Sequence, residues 1–218
     1  MKADLQEILR YLGAEQAPEE LRLRVAAVSD RLSDSIQPRF TFRVFSLLRE
    51  NSQLSVPAAG IHLEGRTASR MLAQCDQVIL LACTLGAQFE AMLRAEQARD
   101  MADAAILNAC GSALVEAGCD AAEQELKSRF PDRFFTDRFS PGYGDLPLSL
   151  QPALCNALDV QRRLGIYLTD SFLMVPSKSV TALIGLSDTP QMARIRGCAY
   201  CTMQQTCTLR KGGKHCGI

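Results

Sequence analysis

The 218-residue sequence has no net charge and no long hydrophobic run. Its 24 basic residues balance 24 acidic ones, so the composition gives no electrostatic reason to expect binding to nucleic acid or to an anionic membrane. No apolar run reaches the roughly 18 residues that a membrane-spanning helix requires, and the acidic, amphipathic start of the chain does not have the layout of a signal peptide. We therefore expect a cytoplasmic protein with neither a nucleic acid nor a membrane as a partner.

Hydrophobic residues make up 47% of the sequence and charged residues 22%, a balance that can bury a core. Apolar residues recur at helical spacing in some segments and alternate or run continuously in others. This pattern favours an α+β fold, with a mixed, largely antiparallel sheet and packed helices. We expect helices over residues 3–12, 18–37, 65–75, 101–128 and 150–163, and strands around 40–44, 61–63, 78–83, 172–175 and 180–186, the last two as a hairpin-like pair.

Nine cysteines are many for this length, and they fall into two groups. Five are scattered through apolar, alanine-rich segments, where a reduced cysteine acts as a small core residue: Cys75, Cys83, Cys110, Cys119 and Cys155. The other four lie within the last 21 residues: Cys198, Cys201, Cys207 and Cys216. We therefore expect residues 1–50 and 51–190 to form one domain, and residues 191–218 to form a cysteine-rich tail.

The spacing Cys-x2-Cys-x5-Cys-x8-Cys in this tail favours a metal site over disulfides in a reducing compartment. After Asp188 the tail contains arginines and lysines but no acidic residue. These cations would lower the thiol pKa values and offset the roughly two negative charges that four thiolates leave around Zn²⁺ or around an iron–sulfur cluster. The spacing leaves the choice of metal open, and the alternative is a disordered, reduced tail with incidental cysteines.

The segment Arg138–Pro147 contains two prolines and two glycines within ten positions, which predicts a shaped, non-repetitive loop. Pro141 fixes one φ angle, whereas Gly142 and Gly144 permit positive φ or the close approach of a ligand. Arg138 and Tyr143 add a permanent cation and an aromatic hydroxyl. The segment is thus either a binding loop or an ordinary tight turn that joins two helices.

Two further segments are candidates for ligand binding. Thr84 and Gly86 follow a buried strand and precede a helix, a place where loops commonly bind ligands, although a simple strand-to-helix turn explains them equally well. Glu116 lies on a stripe of small residues of the long helix, where a carboxylate could meet a bound ammonium group or could simply be solvated.

These segments together resemble a known family. Arg-x-x-Pro-Gly-Tyr at 138–143, a proline four residues after the tyrosine, and Leu168-Thr-Asp-Ser-Phe-Leu-Met-Val-Pro-Ser-Lys-Ser-Val180 are similar to the S-adenosylmethionine-binding activation domain of cobalamin-dependent methionine synthase. The likeness covers roughly residues 60–187, and the short, free-standing version of that domain is more similar still. Separate activation subunits often carry a similar terminal cysteine set.

The resemblance implies a role for each candidate residue. It places Glu116 among the groups that bind S-adenosylmethionine, where it would receive the ammonium group, and it places Thr84 and Gly86 beside the cofactor pocket. Arg138 would hold the carboxylate in a bidentate fork. The loop of Pro141, Gly142, Tyr143 and Gly144 would supply the adenosine contacts. None of these groups is a nucleophile or an obvious general base, so no catalytic residue is expected.

The implied function is that of an activation subunit for methionine synthase. One electron would reduce inactive cob(II)alamin on a partner chain, and the methyl group of S-adenosylmethionine would then pass to the cobalt. The electron donor would be a protein such as flavodoxin or ferredoxin, and a cluster in the cysteine tail would relay the electron. The alternatives are a metal-binding adaptor that has lost the methyl donor, and an activator of a different corrinoid methyltransferase.

The sequence departs from the family's full-length form in two places: the first fifty residues differ, and residues 186–190 lack a tyrosine.

Overall fold

The computed structural model describes residues 1–51, 53–191 and 205–206, and in these it contains both helices and sheets. The helices are α1 (Leu5–Tyr11), α2 (Glu19–Ser35), α3 (Arg66–Met71), α4 (Ala87–Arg99), α5 (Met101–Arg129), α6 (Gln151–Leu158) and α7 (Val160–Leu164). The strands are β1 (Arg39–Ser46), β2 (Leu48–Glu50), β3 (Gln53–Val56), β4 (Ile61–Leu63), β5 (Gln77–Thr84), β6 (Phe134–Phe135), β7 (Tyr167–Leu168), β8 (Met174–Val175) and β9 (Ser179–Ser187). The predicted α+β class is confirmed.

The strands form three sheets. The main sheet has four strands in the order β1-β5-β9-β6, and β6 is antiparallel to β9 with Phe134 opposite Ser187. A second sheet, β2-β3-β4, is antiparallel throughout, and a two-stranded antiparallel ribbon is formed by β7 and β8. Because β5 and β9 are buried along nearly their whole length, the continuous apolar run in each reflects burial of both faces.

The chain divides into two compact units that each draw on separate stretches of sequence. The first unit consists of Met1–Thr41, Ala82–Leu126 and Asp159–Val180. The second consists of Phe42–Leu81, Lys127–Leu158 and the described residues from Thr181 onward. Each of the strands β1, β5 and β9 therefore contributes residues to both units.

The core of the first unit is formed by the apolar faces of its helices. Asp4 caps α1 by accepting a hydrogen bond from Glu7 N at 3.0 Å, and α2 starts after Pro18 and ends before Pro38 as predicted. The largest side chains in this core are fully or almost fully buried: Ile8, Leu9, Leu32, Phe89, Leu107 and Leu114. Helix α5 is buried widely around its circumference, because Gly111 and Gly118 let its neighbours approach closely.

The second unit packs as closely around β9. A Cβ atom at Gly185 would lie 2.5 Å from Cys75 Sγ and 2.7 Å from Leu72 Cδ2, so only glycine fits there without a shift. Residue Thr136 follows β6 and exchanges hydrogen bonds with Gly185, because Thr136 N donates to Gly185 O and Gly185 N donates to Thr136 Oγ1.

Two predicted elements are wrong. The helix expected over 150–163 is two helices, α6 and α7, separated by Asp159 at φ 52°, a left-handed conformation that aspartate tolerates better than most residues. The predicted hairpin of 172–175 with 180–186 does not form, because β8 pairs with β7 and β9 joins the main sheet. A hydrogen bond from Leu85 N to Lys178 O, at 3.0 Å, directs the start of β9 alongside the end of β5.

Strands β2 and β3 were not predicted. They form a short hairpin around Asn51, which has φ 48°, and every residue of β2 is exposed. An exposed three-residue strand has no hydrophobic alternation from which sequence could reveal it.

Candidate functional site

The start of the Arg-x-x-Pro-Gly-Tyr motif is held against β9. Phe139 N donates to Leu183 O at 3.0 Å and Leu183 N donates to Phe139 O at 2.8 Å, so Phe139 forms an antiparallel bridge and is buried. Arg138 directly precedes this bridge, and its backbone is therefore fixed by the sheet. The motif joins an extended segment to a helix, which differs from the helix-to-helix turn considered as an alternative.

The loop itself closes through its own backbone. Gly142 N donates to Leu146 O at 2.8 Å, and Tyr143 N donates to Ser140 O at 3.1 Å. Gly142 and Gly144 have φ of 84° and 60°, values at which a side chain would be strained. Pro141 and Leu146 are buried below the loop, whereas Tyr143 is exposed on it. The predicted shaped loop is confirmed.

Asp145 anchors this loop to the start of α3. Its carboxylate accepts hydrogen bonds from Arg66 N at 2.7 Å and from Thr67 N at 2.9 Å, and α3 has no capping side chain of its own. Hydrogen bonds from the Thr67 hydroxyl and from these two backbone N–H groups lower the pKa of Asp145 to about 2. Gly144 lies against Thr67, since a Cβ at position 144 would be 2.9 Å from Thr67 Oγ1. Asp145 was not predicted as a site residue, and the uncapped glycine start of α3 is the signal that could have indicated it.

In the first unit, Thr84 and Gly86 form a tight turn between β5 and α4. The Thr84 hydroxyl is fully buried; it accepts from Gly86 N at 3.0 Å and lies 2.7 Å from Ser179 Oγ and 3.3 Å from Lys178 O. Gly86 has φ 78° and caps the N-terminus of α4. The Thr84 side chain thus serves the fold, and the backbone of the turn is the part that remains a candidate for ligand contact.

Glu116 is half-buried on α5. Its neighbour Val115 accepts a weak hydrogen bond from Cys83 Sγ at 3.8 Å, which places this part of α5 against the end of β5. The Glu116 charge also acts on Tyr11 of α1: burial is the main cause that raises the pKa of Tyr11, and Glu116 adds to it. In the division of the chain, Glu116, Thr84 and Gly86 belong to the first unit, and the loop 138–144 belongs to the second.

A polar network in the first unit was missed by the sequence analysis. Lys178 Nζ donates to Ser112 Oγ of α5 at 2.8 Å, and Ser177 N donates to Glu90 Oε1 of α4 at 2.6 Å. Ser112 precedes Glu116 by one helical turn, so the two residues share a face of α5. Sequence pattern could not reveal the network because 66 positions separate Ser112 from Lys178.

Among the described residues, no group of three or more His, Cys, Asp or Glu side chains could hold a metal. The tail cysteines Cys198, Cys201, Cys207 and Cys216 lie outside the described residues. A cavity of about 110 Å³ in the first unit is lined by residues of α1 and α2 and by Lys2 and Ala3, and none of them is a predicted site residue. None of the helices within the described part of the chain is both long enough and apolar enough to span a bilayer.

The sequence matches the model of one protein family over most of its length. The model of the vitamin B12 dependent methionine synthase activation domain matches residues 24–205. This chain belongs to that family. The resemblance noted in the sequence is thereby confirmed, and the match extends beyond the 60–187 stretch on which the resemblance was based.

A solved structure has the same fold as this activation domain. It is the crystal structure of the MetH reactivation domain bound to AdoHcy, with a TM-score of 0.67 and 17% sequence identity over 92% of this chain and 74% of that chain. No curated protein matches the sequence. At this identity the likeness shows the fold, and the ligand belongs to that protein.

Proposed function

We propose that this activation domain binds S-adenosylmethionine and supplies its methyl group for the reductive methylation of cobalamin carried outside these 218 residues. The observation that carries the proposal is the closed loop around Gly142, whose Arg-x-x-Pro-Gly-Tyr sequence resembles the family's binding loop. Here this loop is fixed by β9 on one side and by Asp145 on the other. A loop held in this way is organised before a ligand arrives, which reduces the entropic cost of binding.

Each predicted site residue has a role in this proposal. Arg138 holds the carboxylate of S-adenosylmethionine, because a guanidinium matches carboxylate geometry and keeps its charge. Glu116 binds the ammonium group. The backbone of Pro141, Gly142 and Gly144, together with the exposed ring of Tyr143, contacts the adenosine, and the turn at Thr84 and Gly86 contributes backbone groups. The solved neighbour supports this ligand, since AdoHcy is S-adenosylmethionine without its methyl group.

The proposed reaction transfers one electron and one methyl group. Cob(II)alamin takes one electron from an external donor, and the resulting Co(I) uses its electron pair to form a bond with the methyl carbon. The sulfur–methyl bond breaks, and S-adenosylhomocysteine leaves. No proton moves in this step, which agrees with a site that has no predicted general base. The domain contributes by positioning the methyl group for in-line attack.

The cysteine tail has its own place in the proposal. Four thiolates match the donor number of an iron–sulfur cluster or of a structural zinc ion, so Cys198, Cys201, Cys207 and Cys216 are the proposed ligands. An iron–sulfur cluster would supply one-electron transfer from a donor such as flavodoxin or ferredoxin, whereas zinc would only stabilise the tail. Iron and zinc analysis of anaerobically purified protein distinguishes the two. Full activation by iron-free protein with its natural donor would exclude the relay.

The test of the methyl-donor role is anaerobic calorimetry with S-adenosylmethionine. We expect the wild type to bind, and Glu116→Ala and Arg138→Ala each to weaken binding at least tenfold, since each removes a charge-assisted hydrogen bond. Glu20→Ala on α2 and Arg94→Ala on α4 change exposed residues of the same types and should bind like the wild type.

Failure of the folded wild type to bind S-adenosylmethionine would contradict the proposal and favour the metal-binding adaptor. If binding is observed, capture of cobalamin proteins on the immobilised domain identifies the partner. Methionine synthase is the expected partner, and a different corrinoid methyltransferase is the alternative.

A further inference from the structure

Lys178 is fixed at both its backbone and the end of its side chain. Its carbonyl oxygen accepts hydrogen bonds from Leu85 N at 3.0 Å and from Thr84 Oγ1 at 3.3 Å, and its Nζ donates to Ser112 Oγ at 2.8 Å. The ammonium group therefore has a defined position against α5, although a lysine side chain is usually mobile.

The charge of this ammonium group is poorly compensated. It is half-buried, and no carboxylate in the described part of the chain forms an ion pair with it. Glu90 of α4 acts on it only from a longer distance, and the Glu90 carboxylate accepts a hydrogen bond from Ser177 N instead. Burial lowers the pKa of Lys178 and Glu90 offsets only part of this effect, so the lysine costs the fold stability as it stands.

A cost of this kind is expected where a group serves binding instead of folding. Ser112 lies one turn before Glu116, and residues at this spacing have Cβ atoms roughly 5–6 Å apart on one helix face. The Lys178 ammonium, bonded to Ser112, thus lies on the face of α5 that also carries Glu116. An α-amino acid carries the complementary pair, a carboxylate and an ammonium group on one carbon.

We propose that Lys178 is a specificity-determining residue whose ammonium group binds the carboxylate of the amino acid moiety of S-adenosylmethionine. The inference rests on the proposed function and adds a contact to it. After the hydrogen bond to Ser112, the ammonium group retains two N–H donors for the ligand. The site therefore selects adenosine sulfonium compounds that keep the intact amino acid.

The test compares three ligands by calorimetry. S-adenosylmethionine has the carboxylate, and decarboxylated S-adenosylmethionine lacks only that group. 5′-Methylthioadenosine lacks the whole amino acid portion and also the sulfonium charge. We expect Lys178→Met to weaken binding of S-adenosylmethionine about tenfold to a hundredfold and to leave the affinity for the other two within about twofold. Lys178→Arg should recover most of the lost affinity, and Lys127→Met, an exposed lysine of α5, should bind all three like the wild type.

Thermal unfolding separates this role from a structural one. Removal of an uncompensated cation should leave Tm unchanged or raise it, whereas a structural lysine would lower it when replaced. Equal loss of affinity for all three ligands, or unchanged binding of S-adenosylmethionine by Lys178→Met, would overturn the inference. Absence of binding by the wild type would instead contradict the proposed function.

Discussion

The carboxylate of Asp145 connects the loop of residues 138–147 to α3. It accepts hydrogen bonds from two backbone N–H groups that the glycine at position 65 cannot satisfy with a side chain. The Thr67 hydroxyl and these two N–H groups bind the ionised carboxylate more strongly than the neutral acid, which is why the pKa of Asp145 falls to about 2. The loop is therefore coupled to the protonation state of one exposed side chain.

Asp145→Asn should destabilise the domain at neutral pH by a margin that shrinks in acid. A lowered pKa means that the folded state gains stability from Asp145 above the ordinary aspartate pKa, and that this gain is lost as pH falls through about 2. Urea unfolding of both proteins between pH 7 and pH 3 measures the difference. Asp132→Asn, at an exposed position, is the control and should unfold like the wild type. A deficit in Asp145→Asn that is equally large at pH 3 and at pH 7 would show that its charge is not the cause.

At the scale of elements, α5 depends on glycines at two contacts. A Cβ at position 111 would lie 2.3 Å from Phe89 Cζ, and a Cβ at position 118 would lie 2.5 Å from Pro38 Cβ and 2.9 Å from Cys83 Sγ. Phe89 and Cys83 are fully buried and the proline ring is rigid, so neither contact can relax easily. Helix propensity would favour alanine over glycine by about 1 kcal/mol, and packing opposes it.

Gly118→Ala should therefore lower the free energy of unfolding, by about 1–3 kcal/mol, because overpacking outweighs the gain in helix propensity. Chemical denaturation at pH 7 gives the value. Asn108→Ala changes an exposed position of the same helix and should stay within about 0.5 kcal/mol of the wild type. If Gly118→Ala is as stable as the wild type, α5 can move away from Pro38 and the close contact is not required.

Local pattern was sufficient for some elements and not for others. The sequence predicted helices α1, α2 and α5 and strand β5, because their signals (prolines, a glycine stop and apolar spacing) lie within or directly beside each element. The pairing of β8 with β7 and the hairpin of β2 with β3 depend on neighbours in space. The same holds at the site: the shape of the loop follows from its own prolines and glycines, whereas the hydrogen bonds of Asp145 span 78 and 79 positions.

At the scale of the whole molecule, the five core cysteines and the four cysteines proposed as metal ligands should differ in reactivity. The five core thiols are buried, and burial raises the pKa of Cys75 and Cys155 to about 11 and that of Cys110 to about 12. Thiols alkylate as thiolates, so these side chains are protected both by burial and by protonation. The tail cysteines are the ones proposed to bind a metal, and metal binding would protect them in a different way.

Alkylation with iodoacetamide at pH 8, followed by peptide mass spectrometry, should therefore separate the two groups. In the native, metal-loaded protein we expect little modification at any cysteine. After removal of the metal with a chelator, Cys198, Cys201, Cys207 and Cys216 should react quickly, and the five core cysteines should react only after unfolding. Tail cysteines that react equally fast before and after chelation would contradict a metal site. Rapid native modification of Cys110, the thiol with the highest pKa of the three, would contradict the packing of α5 in the core.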